Sequence, residues 1–173
     1  MVLIESLLVL LLNLPADLSE PARTVVVDIP ERRLTLYVNG AAVKTFPIAV
    51  GKPSTPTPVG HFRVVSVVAN PAYYNPAVGQ WGPGEAGNPV GTRWIGLSVK
   101  GYGIHGTVAP QSIGRAASRG CIRLRNRDVE ELSAQIKVGD RVEIRYELRA
   151  DDQERTRKDI YKRYTPPPPD PAE

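Results

Sequence analysis

Residues 23–50 read RTVVVDIPERRLTLYVNGAAVKTFPIAV, and this stretch decides the fold. Val25, Val27 and Ile29 alternate with Thr24, Val26 and Asp28, which is the period of a strand with one buried face. Pro30-Glu31 supplies a turn, and Leu34, Leu36 and Val38 resume the alternation up to Asn39-Gly40, the strongest short hairpin signal a sequence can carry. A third run, Val43 to Val50, follows directly. Three strands joined by tight turns read as a β-meander, the start of a mainly β fold with one or two helices (α+β).

The pattern continues outward from there. Gly51 to Gly60 is proline-rich, and His61 to Val68 is a further β-branched run in which His61 reads as a surface or packing residue. Residues 69–91 are rich in Gly, Pro, Asn and aromatics without a clear period; so long a loop reads as a lid, a binding loop or a disordered segment. Strands resume over Thr92–Val99 and Tyr102–Gly106. The spacing predicts one helix, with Asp128 as N-cap and Glu131 three residues on, Val129, Leu132 and Ile136 on one face, and Gly139 at its end. Arg141–Glu147 alternates as a last strand.

Residues 23–147 therefore read as one domain between two segments of different composition. Residues 1–22 are apolar, a possible signal or anchor; Leu7 to Leu12 has the length of a signal-peptide core, although no Lys or Arg precedes it. Residues 148–173 are charged and end in the polyproline-like run Pro166–Pro169. The whole chain has 173 residues, 42% hydrophobic and 23% charged, enough for one buried core and inconsistent with wholesale disorder. No apolar run reaches the ~18 residues that span a bilayer. A single cysteine rules out an intrachain disulfide. The net charge of +4 suits an acidic partner without naming one.

The chemistry is concentrated in residues 104–124, IHGTVAPQSIGRAASRGCIRL, which hold the only cysteine and one of two histidines. A thiol reacts as its thiolate, and a neighbouring imidazole or guanidinium favours that form. Arg119 and Arg123 flank Cys121 closely enough to supply such a field. Gly120, lacking a Cβ, lets backbone pass close to a substrate carbonyl, and N–H groups there suit an oxyanion hole. A lone cysteine in a β-rich domain is more often a small buried apolar residue, and a lone histidine a structural one; the combined string carries more weight than either.

Ile104-His105-Gly106-Thr107, followed by Ser118-Arg119-Gly120-Cys121-Ile122-Arg123-Leu124 and then Asn126 and Asp128, resembles the L,D-transpeptidase catalytic domain, also called YkuD. Thr55-Pro56-Thr57-Pro58-Val59-Gly60-His61-Phe62 and Asn88–Leu97 resemble further blocks of that family in the right order, so the likeness runs from about Arg23 to Tyr146. It implies a β-sandwich or barrel with a helix after the cysteine. Cys121 would attack the third residue of a peptidoglycan stem peptide, expel D-alanine and pass the acyl group to a second stem as a 3→3 cross-link. His105 would be the base, with the Gly106 carbonyl in place of a triad carboxylate, and the amides of Gly120 and Cys121 would hold the oxyanion. Ser118, Arg119, Arg123, Trp81 and Tyr74 are the candidates for shaping the pocket or meeting substrate. The resemblance also implies carbapenems as covalent inhibitors, no cofactor, and a site facing the cell wall, in the periplasm or otherwise outside the cytoplasm; the chain is expected to be a monomer. The sequence departs from the family in two places. Arg119 stands where many members carry a second histidine, and residues 71–81 lack a Pro-Trp pair, for which Tyr73, Tyr74 and Trp81 are partial substitutes.

Other readings fare worse. With no Cys-x-x-Cys and no His-x-x-x-His, the chain does not offer the ligands zinc requires. Five arginines between Arg115 and Arg127 raise nucleic-acid binding, but no aromatic lies between Gly103 and Arg145 to stack on bases. Papain-type enzymes place Cys before His, the reverse of the order here. A carboxypeptidase that trims tetrapeptides and a non-catalytic wall-binding module remain as alternatives.

Overall fold

The alternation of the first strands reappears in three dimensions as paired ladders. The computed structural model describes residues 20–146; the expectations for the N-terminal segment up to residue 19, for Glu147 and for the tail 148–173 lie outside the described residues. Strands β1 (Arg23–Asp28), β2 (Arg33–Val38) and β3 (Ala41–Pro47) form the expected antiparallel meander. Its second turn has Asn39 and Gly40 at φ 51° and 80°, the left-handed pair that a two-residue hairpin requires. Then follow β4 (Val50–Gly51), β5 (Gly60–Ala69), β6 (Tyr73–Asn75), β7 (Gly79–Trp81), β8 (Arg93–Leu97), β9 (Gly103–His105), β10 (Ala116–Ser118), β11 (Ile122–Arg123), helix α1 (Asn126–Ser133) and β12 (Arg141–Arg145).

Eight strands form one curled sheet in the order β11-β9-β8-β5-β12-β1-β2-β3. Most neighbours are antiparallel, but β1 runs parallel to β12 and β9 parallel to β11. One face is apolar. Val25 sits across from Leu36 and Val142, and Val27 from Leu34 and Ile144, all buried. Phe46, Val64, Ile95, Ile104 and Ile122 extend that core toward the β11 edge, where Val129 and Leu132 of α1 close it. Each such side chain contributes about 1.5–3 kcal/mol by leaving water. Among the described residues the fold is thus mainly β with a single α-helix, besides a 3-10 turn at Pro110–Ser112. Among the described residues, no helix is long and apolar enough to cross a membrane.

Two local expectations need correcting. Helix α1 begins at Asn126, with extended Arg125 as an N-cap that makes no side-chain capping bond. Asp128 is therefore in the first turn, buried, with Arg125 and Arg127 each 3.9 Å from its carboxylate; a negative charge there suits the helix dipole without acting as a cap. The helix also stops at Ser133, so Gly139 belongs to the turn before β12, where Asp140 Oδ2 accepts the Lys137 N–H at 2.8 Å. Residues 69–91 hold more order than their composition suggests. Strands β6 and β7 make a small hairpin, with the Tyr73 and Trp81 rings 6.0 Å apart.

The core ladder gives a stability test. Leu36→Ala is expected to cost about 2–5 kcal/mol in urea unfolding. Val65→Thr, on the exposed side of β5, should shift the same transition by less than about 0.5 kcal/mol.

Candidate active site

Strands β9 and β11 set the two reactive residues on neighbouring segments of one sheet edge. Ile104 pairs with Ile122 and His105 with Arg123 in a parallel register. Both isoleucines are buried in the core, so alternation turns His105, Arg123 and Cys121, the residue just before β11, toward the other face.

His105 is buried. Its ring stacks on Trp94, the residue opposite it on β8, with centroids 5.7 Å apart and planes at 22°. Nδ1 lies 2.5 Å from the Gly106 carbonyl oxygen. A carbonyl can only accept, so Nδ1 carries the hydrogen and Nε2 keeps its lone pair. Burial pushes the imidazole pKa down to about 4; the Gly106 hydrogen bond opposes this and the Arg123 charge adds to it. At neutral pH the ring is an uncharged base with a fixed tautomer.

Cys121 is half-buried, its thiol 3.7 Å from the Gly101 carbonyl oxygen. Burial pushes the thiol pKa up, against the Gly103 backbone hydrogen bond and the Arg123 charge. The turn that presents it is stapled by Ser118, whose hydroxyl donates to the Cys121 carbonyl at 2.5 Å and accepts the Gly120 N–H at 3.0 Å. Lys52 N–H and Thr55 Oγ1 both donate to the Ser118 carbonyl, docking the proline-rich loop against this turn. Gly120 has φ 111°, and a Cβ there would fall 2.5 Å from Tyr102 Cε1.

The two amides expected at the oxyanion differ in their partners. The Gly120 N–H is already bound to Ser118 Oγ, whereas the Cys121 N–H meets no acceptor among the described residues. The other candidates divide. Arg123 lies beside the pair, with its Nε buried and lacking a partner among the described residues. Arg119 is exposed in the turn. Trp81 packs within its own hairpin and Tyr74 is 70% exposed; among the described residues, neither makes a hydrogen bond or ring contact with the Cys121 cluster. Trp94 and Asn126 were legible as parts of motifs, but the stacking of Trp94 on His105 and the bond from the Thr107 N–H to Asn126 were not, because they depend on strand register and on a contact across 19 residues. Among the described residues, no three of His, Cys, Asp and Glu cluster as a metal site would require.

Comparison with known proteins places the chain in a family. YkuD of Bacillus licheniformis and YkuD of Bacillus subtilis, both named as L,D-transpeptidases, are 46% and 43% identical over 120 residues, covering 69% of this chain. The match spans 64% of the length of each relative. The solved structure of the L,D-transpeptidase LdtMt1 in complex with imipenem superposes with a TM-score of 0.60 at 25% identity, over 72% of this chain and 59% of that one. The family model for the L,D-transpeptidase catalytic domain, YkuD, matches residues 22–144. With that span covering most of the sequence, the chain belongs to the L,D-transpeptidase catalytic-domain family.

Proposed function

We propose that the chain is a cysteine acyltransferase that cross-links peptidoglycan stem peptides. The observation that carries this reading is a neutral His105, its Nδ1–H on the Gly106 carbonyl, on the strand paired in parallel with the one that Cys121 precedes. In the reaction, His105 Nε2 takes the thiol proton as Sγ adds to the carbonyl of the third stem residue. The Cys121 N–H faces the resulting oxyanion. Collapse of that intermediate breaks the bond to D-alanine, which leaves with the proton from His105, and a thioester remains on Cys121. The side-chain amine of a second stem then attacks the thioester, giving up its proton to His105 and restoring the thiol. Arg123 offers a guanidinium to the carboxylates of such a substrate, and Ser118 keeps the turn in shape. No cofactor takes part.

Residues 23–147 are the catalytic domain in this reading, with residues 1–22 as the export or anchoring segment. The substrate puts the site outside the cytoplasm, in the periplasm or against the wall, where cross-linking contributes to wall assembly and cell shape. The enzyme works as a monomer, since one chain supplies both Cys121 and His105.

Incubation with a purified disaccharide-tetrapeptide, read by mass spectrometry, is expected to give a cross-linked dimer lacking one D-alanine. Cys121→Ala should abolish it while leaving the fold intact. Tripeptide alone would instead identify a carboxypeptidase, and sacculus binding without turnover a wall-binding module.

The pH dependence follows from the two shifted groups. His105 serves as base only when neutral, so kcat/KM should hold down to about pH 4 before its acid limb falls, rather than declining through the ordinary imidazole value of 6.5. The raised thiol pKa means that thiolate accumulates only under alkaline conditions, so the rate of Cys121 alkylation by iodoacetamide should still be climbing past pH 9. A plateau near pH 7 in that titration would contradict a neutral resting pair. Carbapenem treatment should add the mass of one opened drug to the intact protein and none to Cys121→Ala.

A further inference from the structure

We propose that Asn126 is the positioning residue of the active site, orienting His105 through the Gly106–Thr107 peptide rather than by touching the ring. This rests on the reading of His105 as the base. Asn126 Oδ1 accepts the Thr107 N–H at 3.0 Å and the Thr92 N–H at 3.4 Å. Both partners are backbone donors, so the side-chain atom facing them is the oxygen. The Thr107 N–H belongs to the same peptide unit as the Gly106 carbonyl, which holds His105 Nδ1. No peptide in the described residues is cis, and a trans peptide is planar with its N–H and C=O pointing opposite ways. Fixing the N–H therefore fixes the direction of the carbonyl, and through it the ring and its tautomer.

The preceding peptide unit, His105–Gly106, is equally constrained. Gly106 N–H donates to the Arg93 carbonyl at 3.2 Å, and the His105 carbonyl accepts Leu124 N–H at 2.8 Å. Only the rotation of the Gly106–Thr107 plane is left for Asn126 to set. The chain Asn126 Oδ1, Thr107 N–H, Gly106 C=O, His105 Nδ1–H also polarises the carbonyl, making it a better acceptor. Space is reserved for this contact: a Cβ on either Gly91 or Gly106 would collide with Asn126 Oδ1. Asn126 sits in the first turn of α1, so the helix packing on β8 and β9 carries the rigidity of the core to the histidine.

The test uses the full chain, with Asn126→Ala and the acceptor-retaining Asn126→Asp. Asn126→Ala should lower kcat about 10- to 100-fold with KM within about twofold, the split of a group that acts only in the reacting complex. Asn126→Asp should recover most of the loss. An independent readout comes from 15N-histidine NMR, since the chain has only two histidines and His61→Gln assigns the signals. The wild type should show a single Nδ1–H tautomer at His105, Asn126→Ala a mixture, and Asn126→Asp the single form. A folded Asn126→Ala with full turnover and an unmixed tautomer would overturn the proposal, as would an Asn126→Asp that loses the tautomer while keeping its acceptor. If Asn126→Ala does not fold, the wild-type Thr107 amide decides: slow solvent exchange supports the clamp and rapid exchange removes it. The tautomer is read without substrate, so it separates failure of this proposal from failure of the transpeptidase reading.

Discussion

Everything at the site hangs on a parallel pairing only two residues long, β9 against β11. Such a pair has little stability of its own, and parallel neighbours need a crossover between them. Here the crossover is Gly106 to Cys121, which contains a 3-10 turn and β10 but no α-helix. Its hold comes from elsewhere. Ile104 and Ile122 are sunk in the core, Ala49 exchanges both backbone hydrogen bonds with Arg123, and β10 is paired to β4. A slip of one residue would turn Cys121 toward the apolar face and Ile122 away from it. Burial of the two isoleucines is thus what sets the register of the cysteine against the histidine.

Arg123 beside a Cys–His pair is less decisive than its charge suggests. It stabilises a thiolate and destabilises an imidazolium, so both groups are pushed to lower pKa. Proton transfer from Cys121 to His105 creates both ions at once, and the two effects of Arg123 oppose each other. Burial does not cancel in this way. It raises the thiol and lowers the imidazole, each shift favouring the uncharged form. The resting pair is consequently neutral, and the charge of the nucleophile develops only as the carbonyl is attacked, where the Cys121 N–H can meet it.

How much of this was legible in the sequence depends on the range of the interaction. Period two in β1 and β2, the β-branched run of β5 and the Asn39-Gly40 turn are local signals, and each came through in the fold. The Asp128–Glu131 spacing imitates a capping box, yet the N-cap is Arg125, three residues earlier; the first turn forms without a side-chain cap, and Asn126 Oδ1 is bound to the Thr107 N–H. Strands β6 and β7 have three residues each, too few to display a period. The engagement of the Gly120 N–H depends on where the Ser118 hydroxyl points, which no spacing rule contains. Trp94 reaches His105 only through the β8–β9 register, a pairing the sequence does not state.

The glycines of the site are best understood as space. Gly103 lies under the Trp94 ring, whose edge a Cβ would approach to 2.6 Å. Gly91 and Gly106 leave room for Asn126, and Gly120 leaves room for Tyr102. Each bulky side chain that walls the catalytic pair is matched by a missing Cβ on a neighbouring segment. This explains why His105 can be buried against an indole and still be reached by a short backbone hydrogen bond, and why the cysteine turn can lie close to the Gly101–Gly103 segment. Adding a methyl group at Gly103, Gly106 or Gly120 would displace a wall residue rather than a reacting one. Tight packing around the pair, more than any single charge, makes the base neutral and its direction fixed.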